Sequence, residues 1–290
     1  MVYLFGTTLL WAFSFSLIGV YLAGQVDAWF SVLMRVALAM LIFLPFLKFR
    51  AVSKLLAIKL MGIGAIQLGV MYGFYYHSFL FLTVPEVLLF TVMTPLIVTL
   101  LNDALDKRFN PWFFIAAAVA TLGAITIRYD GLSSGFVFGF FIVQGANLCF
   151  ASGQVFYKRI MANQPNLSQH TVFGYFFIGA FLVAVVSFSL FGDVSKLPQT
   201  TLQWSVLTYL GMVASGLGYF AWNKGATLVN VGALAVMNNL LIPAGILVNV
   251  LIWNRDADIV RLSLGSGIIL LALIINQKLF LNERSARGNS

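Results

Sequence analysis

Apolar residues come in long runs along this chain, and short polar turns separate them. A helix needs about 20 mostly apolar residues to cross a bilayer. Ten runs of that kind follow one another, at 2–22, 29–48, 60–82, 86–104, 111–129, 136–157, 171–191, 203–224, 231–253 and 260–281. The pattern also repeats. Gly69, Gly73 and Pro95 are echoed by Ala214, Gly218 and Pro243, at offsets of 145, 145 and 148 residues. The polar stretch Arg128–Gly135 divides the runs five and five, predicting two five-helix repeats at 1–130 and 134–285. The stretch from Gly211 to Asp256 is the most informative. Its two apolar runs flank the turn Lys224–Asn230, and both break the apolar rule at depth with Ser215, Asn238, Asn239, Pro243 and Asn249. Buried amides are costly in hydrocarbon unless paired, so these groups are predicted to face protein or a cavity.

Composition supports the membrane reading. Of the 290 residues, 61% are hydrophobic and 9% charged, and the mean hydropathy is +0.96. Soluble domains carry roughly 25% charged residues, so a soluble fold is excluded and an all-α integral membrane protein follows. The net charge of +8 could suggest nucleic acid, but the basic residues sit in short loops and read as topology signals. With Cys149 as the one cysteine, an intrachain disulfide is excluded and no metal site or cofactor is expected. The first run lacks a basic n-region and a small-residue cleavage site, so it is expected to be a retained span.

Lys and Arg then orient the spans. With the N-terminus in the cytoplasm, inside segments hold twelve of these residues and outside segments four, with Arg35 left inside the second span. The positive-inside rule therefore predicts both termini in the cytoplasm. Five spans per half is an odd number, so the halves are predicted to be inverted relative to one another. Inverted repeats of this type usually flank a midplane substrate site.

Several residues carry a family resemblance: Trp11-Ala12 in span one, Arg35 in span two, Tyr219-x-x-Trp222-Asn223 ending span eight, Pro95 and Pro243 in spans four and nine, and Gly265 opening span ten. In order and spacing, over nearly the whole chain, these resemble the drug/metabolite transporter superfamily, in its ten-span bacterial EamA branch. The resemblance implies an inverted-repeat bundle in the bacterial inner membrane, with a cavity lined mainly by spans 1, 3, 4, 6, 8 and 9. It implies a flux of small organic metabolites, commonly amino acids, amines or drugs, often outward. One departure concerns the Gly-Glu pair that the family often carries after spans four and nine. Here those places read Asp106-Lys107-Arg108 and Arg255-Asp256, which makes them poor candidates for an essential site.

The polar positions inside the spans supply the candidate site. In span six Gln144, Asn147, Gln154 and Lys158 fall at about 0°, 300°, 280° and 320° around the helix, one narrow stripe. Such a stripe is either a cavity wall, above all at Gln144 and Asn147, or a seam of interhelical hydrogen bonds. In span nine Asn238 and Asn239 precede Pro243, and in span four Thr91 and Thr94 precede Pro95. Proline frees a carbonyl about four residues earlier, and carriers build sites at such interruptions. Trp11 and Ser14 near the middle of span one, Tyr76 in span three, and Ser215 and Trp222 in span eight complete the expected substrate lining. The remaining aromatics of spans three and eight are expected to be interfacial belt or packing residues. Gly69-x-x-x-Gly73 and Ala214-x-x-x-Gly218 read as close helix contacts.

Ionisable groups are scarce. Glu86 and His77 are the candidates for proton coupling, although an acid at a helix start is also favoured there by the dipole. Arg35 is expected to pair or snorkel rather than touch substrate. With so few buried charges, a neutral or zwitterionic substrate is expected. The reading as a whole is a secondary transporter, an exporter by resemblance, working as a monomer or weak homodimer in the lipid bilayer. An intramembrane enzyme acting on a lipid-linked substrate would need a converging nucleophile or metal cluster. A non-transporting interaction protein would have no need of buried polar groups in both halves.

Overall fold

The computed structural model describes residues 1–50, 52–127, 136–253 and 259–288. Its helices are α1 (Val2–Tyr21), α2 (Ala28–Phe43), α3 (Lys54–Gly64), α4 (Met71–Ser78), α5 (Val84–Phe90), α6 (Thr94–Asp106), α7 (Pro111–Ile127), α8 (Phe136–Ala162), α9 (Phe173–Phe191), α10 (Thr201–Tyr209), α11 (Gly218–Thr227), α12 (Val231–Asn239), α13 (Leu241–Trp253) and α14 (Ile259–Gly288). Among the described residues there are no strands, and seven helical runs are long and apolar enough to cross a membrane. Shorter apolar stretches in α7 and α14, and the continuous run from α10 to α11, occupy the remaining expected spans. The boundary expected at 128–135, Asp256 and the side chain of Asn249 lie outside what the structure describes.

Helix starts follow local chemistry. Asp27, Ser53 and Asn230 each accept the backbone N–H three residues on, at 2.7, 3.2 and 2.7 Å. Thr83 with Glu86 and Thr200 with Gln203 form capping boxes, each satisfying donors that a helix start leaves unpaired. The end of α6 is less expected. Lys107 adopts φ 50°, the left-handed conformation that glycine usually supplies.

Irregularities recur in corresponding places of the two halves. Ala65–Val70, between α3 and α4, and Leu210–Leu217, between α10 and α11, are both π-helical. The next span is broken each time: a 3₁₀ turn at Thr91–Met93 separates α5 from α6, and Leu240 separates α12 from α13. Pro95 and Pro243 lie just beyond these breaks, in line with the expected kinks.

Packing is closest where glycines face backbone. A Cβ on Gly64 would sit 1.8 Å from the Phe176 carbonyl oxygen, and one on Gly179 would sit 1.9 Å from that of Met61. Helices α3 and α9 therefore touch main chain to main chain. Gly69 meets Val183 and Gly73 meets Trp29, so the small-residue spacing serves helix contact. Helices α7 and α14 pair at one flank, while α1 lies against α11 and α13. Many large apolar side chains remain exposed, among them Leu41, Ile58, Leu122, Phe141, Leu190 and Leu251. Lipid covers such a surface at no cost, whereas water would not.

Candidate substrate cavity

A cavity of about 90 Å³ lies where the irregular segments converge. Its lining comes from spans one, three, four, six, eight and nine, as the resemblance implies, with Arg35 of span two added. Of the residues expected from sequence to bind substrate, Trp11, Ser14, Thr94, Asn147 and Asn238 line it. Phe15, Tyr72, Tyr75, Phe150 and Tyr219 supply an aromatic wall.

Other expected residues stand one layer back. Ser215 and Tyr76 hold Arg35: the guanidinium donates from Nε to the Ser215 hydroxyl at 3.1 Å, from Nη1 to the Tyr76 hydroxyl at 3.1 Å and from Nη2 to the Tyr72 hydroxyl at 2.6 Å. Its carbon also lies 4.3 Å from the centre of the Tyr72 ring. One expectation is corrected here. Arg35 is 2% exposed, so it does not snorkel, and among the described residues it has no ion pair. Of the belt and packing roles expected for the remaining aromatics of spans three and eight, Tyr72, Tyr75 and Tyr219 take the packing one: they are buried and face the bundle axis instead of lipid. A signal was present: Tyr72, Tyr75 and Tyr76 fall at i, i+3 and i+4, one helical face. Arg35 itself stands well inside an apolar run, where a charge is too costly to be incidental.

The stripe on α8 does both things proposed for it. Gln144 and Asn147 donate to the Phe90 carbonyl oxygen at 3.1 and 2.9 Å, at the start of the 3₁₀ break of span four. Thr121 donates to the Val92 carbonyl oxygen, within the same break, at 3.2 Å. Asn147 still lines the cavity, whereas Gln144 does not. Farther along, Gln154 accepts the Trp222 indole N–H at 3.0 Å and donates to Asn238 at 3.3 Å. Trp222 sits beneath Trp11, with ring centres 5.0 Å apart. The Trp11 indole N–H reaches the Ala214 carbonyl oxygen in the π segment at 2.8 Å. Asn239 is fully buried outside the lining, with both side-chain polar atoms unpartnered.

The coupling candidates are placed elsewhere. Glu86 accepts the Thr83 backbone N–H at 2.7 Å and the Thr83 hydroxyl at 2.9 Å, as a helix-start acid does. The His77 ring bonds the Gly73 carbonyl oxygen through Nδ1 at 2.7 Å and packs against Trp29, in a separate apolar fissure.

One end of the bundle is tied across α8. Lys158 donates to the carbonyl oxygens of Ala226, in the last turn of α11, and of Val229, just beyond it. Arg159 donates to the backbone and side-chain oxygens of Asn102, both at 2.9 Å, and pairs with Asp106 at 2.7 Å. Asp106, set aside from its sequence position as a poor candidate, thus joins the end of span four to the end of span six.

Comparison with known proteins agrees with this architecture. The EamA-like transporter family model matches residues 137–277. A Pseudomonas aeruginosa protein named probable biotin transporter is 54% identical over 99% of this chain and 100% of its own length. Proteins named biotin transporter from Salmonella typhimurium and Escherichia coli K12 are each 50% identical, over 97% and 94% of this chain and 94% and 91% of theirs. A solved structure titled only as a crystal structure of a protein shares the fold, with a TM-score of 0.70 at 19% identity, over 96% of this chain and 97% of that one. A chain so similar end to end to these transporters, with its helices converging on a small-molecule cavity, belongs to the EamA-like transporter family.

Proposed function

We propose that this transporter carries biotin across the bacterial inner membrane by alternating access, in place of the amino acids or amines expected from the family resemblance. The observation that carries this reading is the charge of the cavity. Among the described residues its lining holds one guanidinium and no carboxylate, so an ammonium group would find no counter-charge there. Taking an amine or zwitterion out of water without a counter-charge is strongly unfavourable. Biotin suits the lining better. It is a monoanion with a compact, largely apolar fused ring for the aromatic wall, and a cyclic urea for amides such as Asn147 and Asn238. The names of the relatives point the same way.

The halves are taken to rock about the four interrupted helices, whose half-formed turns can change without breaking long hydrogen-bond ladders. The cavity is lined midway along α2 and α8, while Lys158 and Arg159 tie one end of the bundle. With both termini in the cytoplasm, the tied end is the cytoplasmic one, which supports an outward-opening site and uptake rather than the export first expected. A single chain encloses the cavity, which supports a monomer as the transport unit.

The test is flux of labelled biotin into proteoliposomes holding the purified chain, with and without a pH gradient, competed by amino acids and amines. Saturable biotin flux that those compounds leave untouched is expected. Saturable flux of an amino acid or amine, with none of biotin, would sink the proposal.

A further inference from the structure

The geometry points to Arg35 as the reader of a free carboxylate, so that the site takes the acid form of its substrate and rejects amide-linked or esterified forms. This rests on the biotin reading and assigns one end of that ligand to one residue. A guanidinium has five N–H donors and no acceptor. Arg35 commits three of them, one from each nitrogen, to Ser215, Tyr76 and Tyr72. One N–H on Nη1 and one on Nη2 are left over. These two terminal nitrogens form the fork that matches both oxygens of a carboxylate.

The three hydroxyls fix the plane of the guanidinium without neutralising it. Tyr72 and Ser215 are themselves hydrogen-bonded at 2.8 Å, so the cradle is braced on two helices from different halves of the chain. The tyrosine faces also pack against the cation, with the ring centres of Tyr72 and Tyr76 4.3 and 5.7 Å from its central carbon. A rigid, charged, half-used fork at an apolar wall selects strongly. The amide of the same ligand would leave the cation uncompensated and present one acceptor in place of two. A site built to pair a polar group rejects the analogue lacking it by orders of magnitude. Arg35 is therefore a specificity-determining residue, and its three hydroxyl partners are positioning residues.

The experiment uses the full chain in proteoliposomes, with labelled biotin as the reporter. Unlabelled biotin, desthiobiotin, biotin methyl ester and biotinamide compete for flux, in wild type, Arg35→Gln and Arg35→Lys. In wild type the two free acids are expected to compete alike, and the ester and amide about 100-fold or more weakly. In Arg35→Gln biotin flux falls and the gap between acid and amide closes; Arg35→Lys, a charge without the fork, lies between. Should Arg35→Gln fail to fold, the wild-type competition decides alone. Wild type that moves biotin but is blocked equally by the amide overturns the carboxylate assignment and leaves the transport reading standing. Wild type that moves no biotin overturns both.

Discussion

Trp11→Phe probes the link between the π segment of span eight and the cavity. The indole is held on two sides: its N–H donates to the Ala214 carbonyl oxygen at 2.8 Å, and its ring packs on Trp222, Tyr219 and Phe150 with centres 5.0, 5.1 and 5.7 Å away. It fits closely against Gly218, where an added Cβ would come within 2.8 Å of Nε1. Phenylalanine keeps part of the ring contact but cannot donate. Leaving a buried acceptor unsatisfied costs about 1–3 kcal/mol. The lower part of that range applies, since a carbonyl has a second lone pair. The loss does not stay local, because the next residue, Ser215, accepts from Arg35. A loosened π segment therefore loosens the guanidinium cradle. A loss of about 1.4–2 kcal/mol corresponds to a 10- to 30-fold rise in the KM for biotin. The assay is initial-rate flux in proteoliposomes, beside the fraction of detergent-solubilised protein that stays monodisperse after heating. A Trp11→Phe variant with wild-type KM and wild-type heat resistance would refute the coupling.

Three further outcomes follow from the geometry. Lys107→Gly is expected to stabilise the protein by about 1 kcal/mol, since a left-handed residue with a Cβ is strained; heat inactivation in detergent measures it, and a less stable variant counts against the argument. Gly179→Ala places a Cβ 1.9 Å from a main-chain oxygen, an overpacking cost of about 1–3 kcal/mol, read as a lower melting temperature with unchanged biotin affinity in the folded fraction. Arg159→Gln removes the tie to Asp106, an ion pair 31% and 49% exposed and so worth no more than about 1 kcal/mol, together with the charge behind the two bonds to Asn102. Easier opening of that end should raise thiol labelling of cysteines introduced beside Asn102, and labelling equal to the parent's would show that the tie does not hold the end shut.

Much of this architecture is legible along the chain. Run lengths locate the spans because a bilayer imposes one length on every crossing helix, and caps such as Asn230 or Thr83 mark where helices begin. Pro95 and Pro243 announce the interrupted spans, and Trp11, Ser14, Thr94, Asn147 and Asn238 are found at the cavity because polar or amphipathic groups at depth have few tolerable places. Gln144, Asn239, Glu86 and His77 satisfy the same rule, yet lie outside the cavity lining. Sequence spacing says that a side chain must leave lipid, not which of several protein faces receives it.

Chain order and hydropathy thus determined an all-helical membrane protein with breaks beside Pro95 and Pro243, because those features depend on local backbone chemistry and on the solvent. Tertiary structure alone decided the charge of the site. Arg35 and Ser215 are 180 residues apart, and the hydroxyls that hold the guanidinium come from two stretches of helix far apart along the chain, Tyr72 and Tyr76 on one and Ser215 on the other. Whether a buried arginine is paired, snorkelled or left with donors to offer depends on what the packing places around it, and no local pattern encodes that neighbourhood.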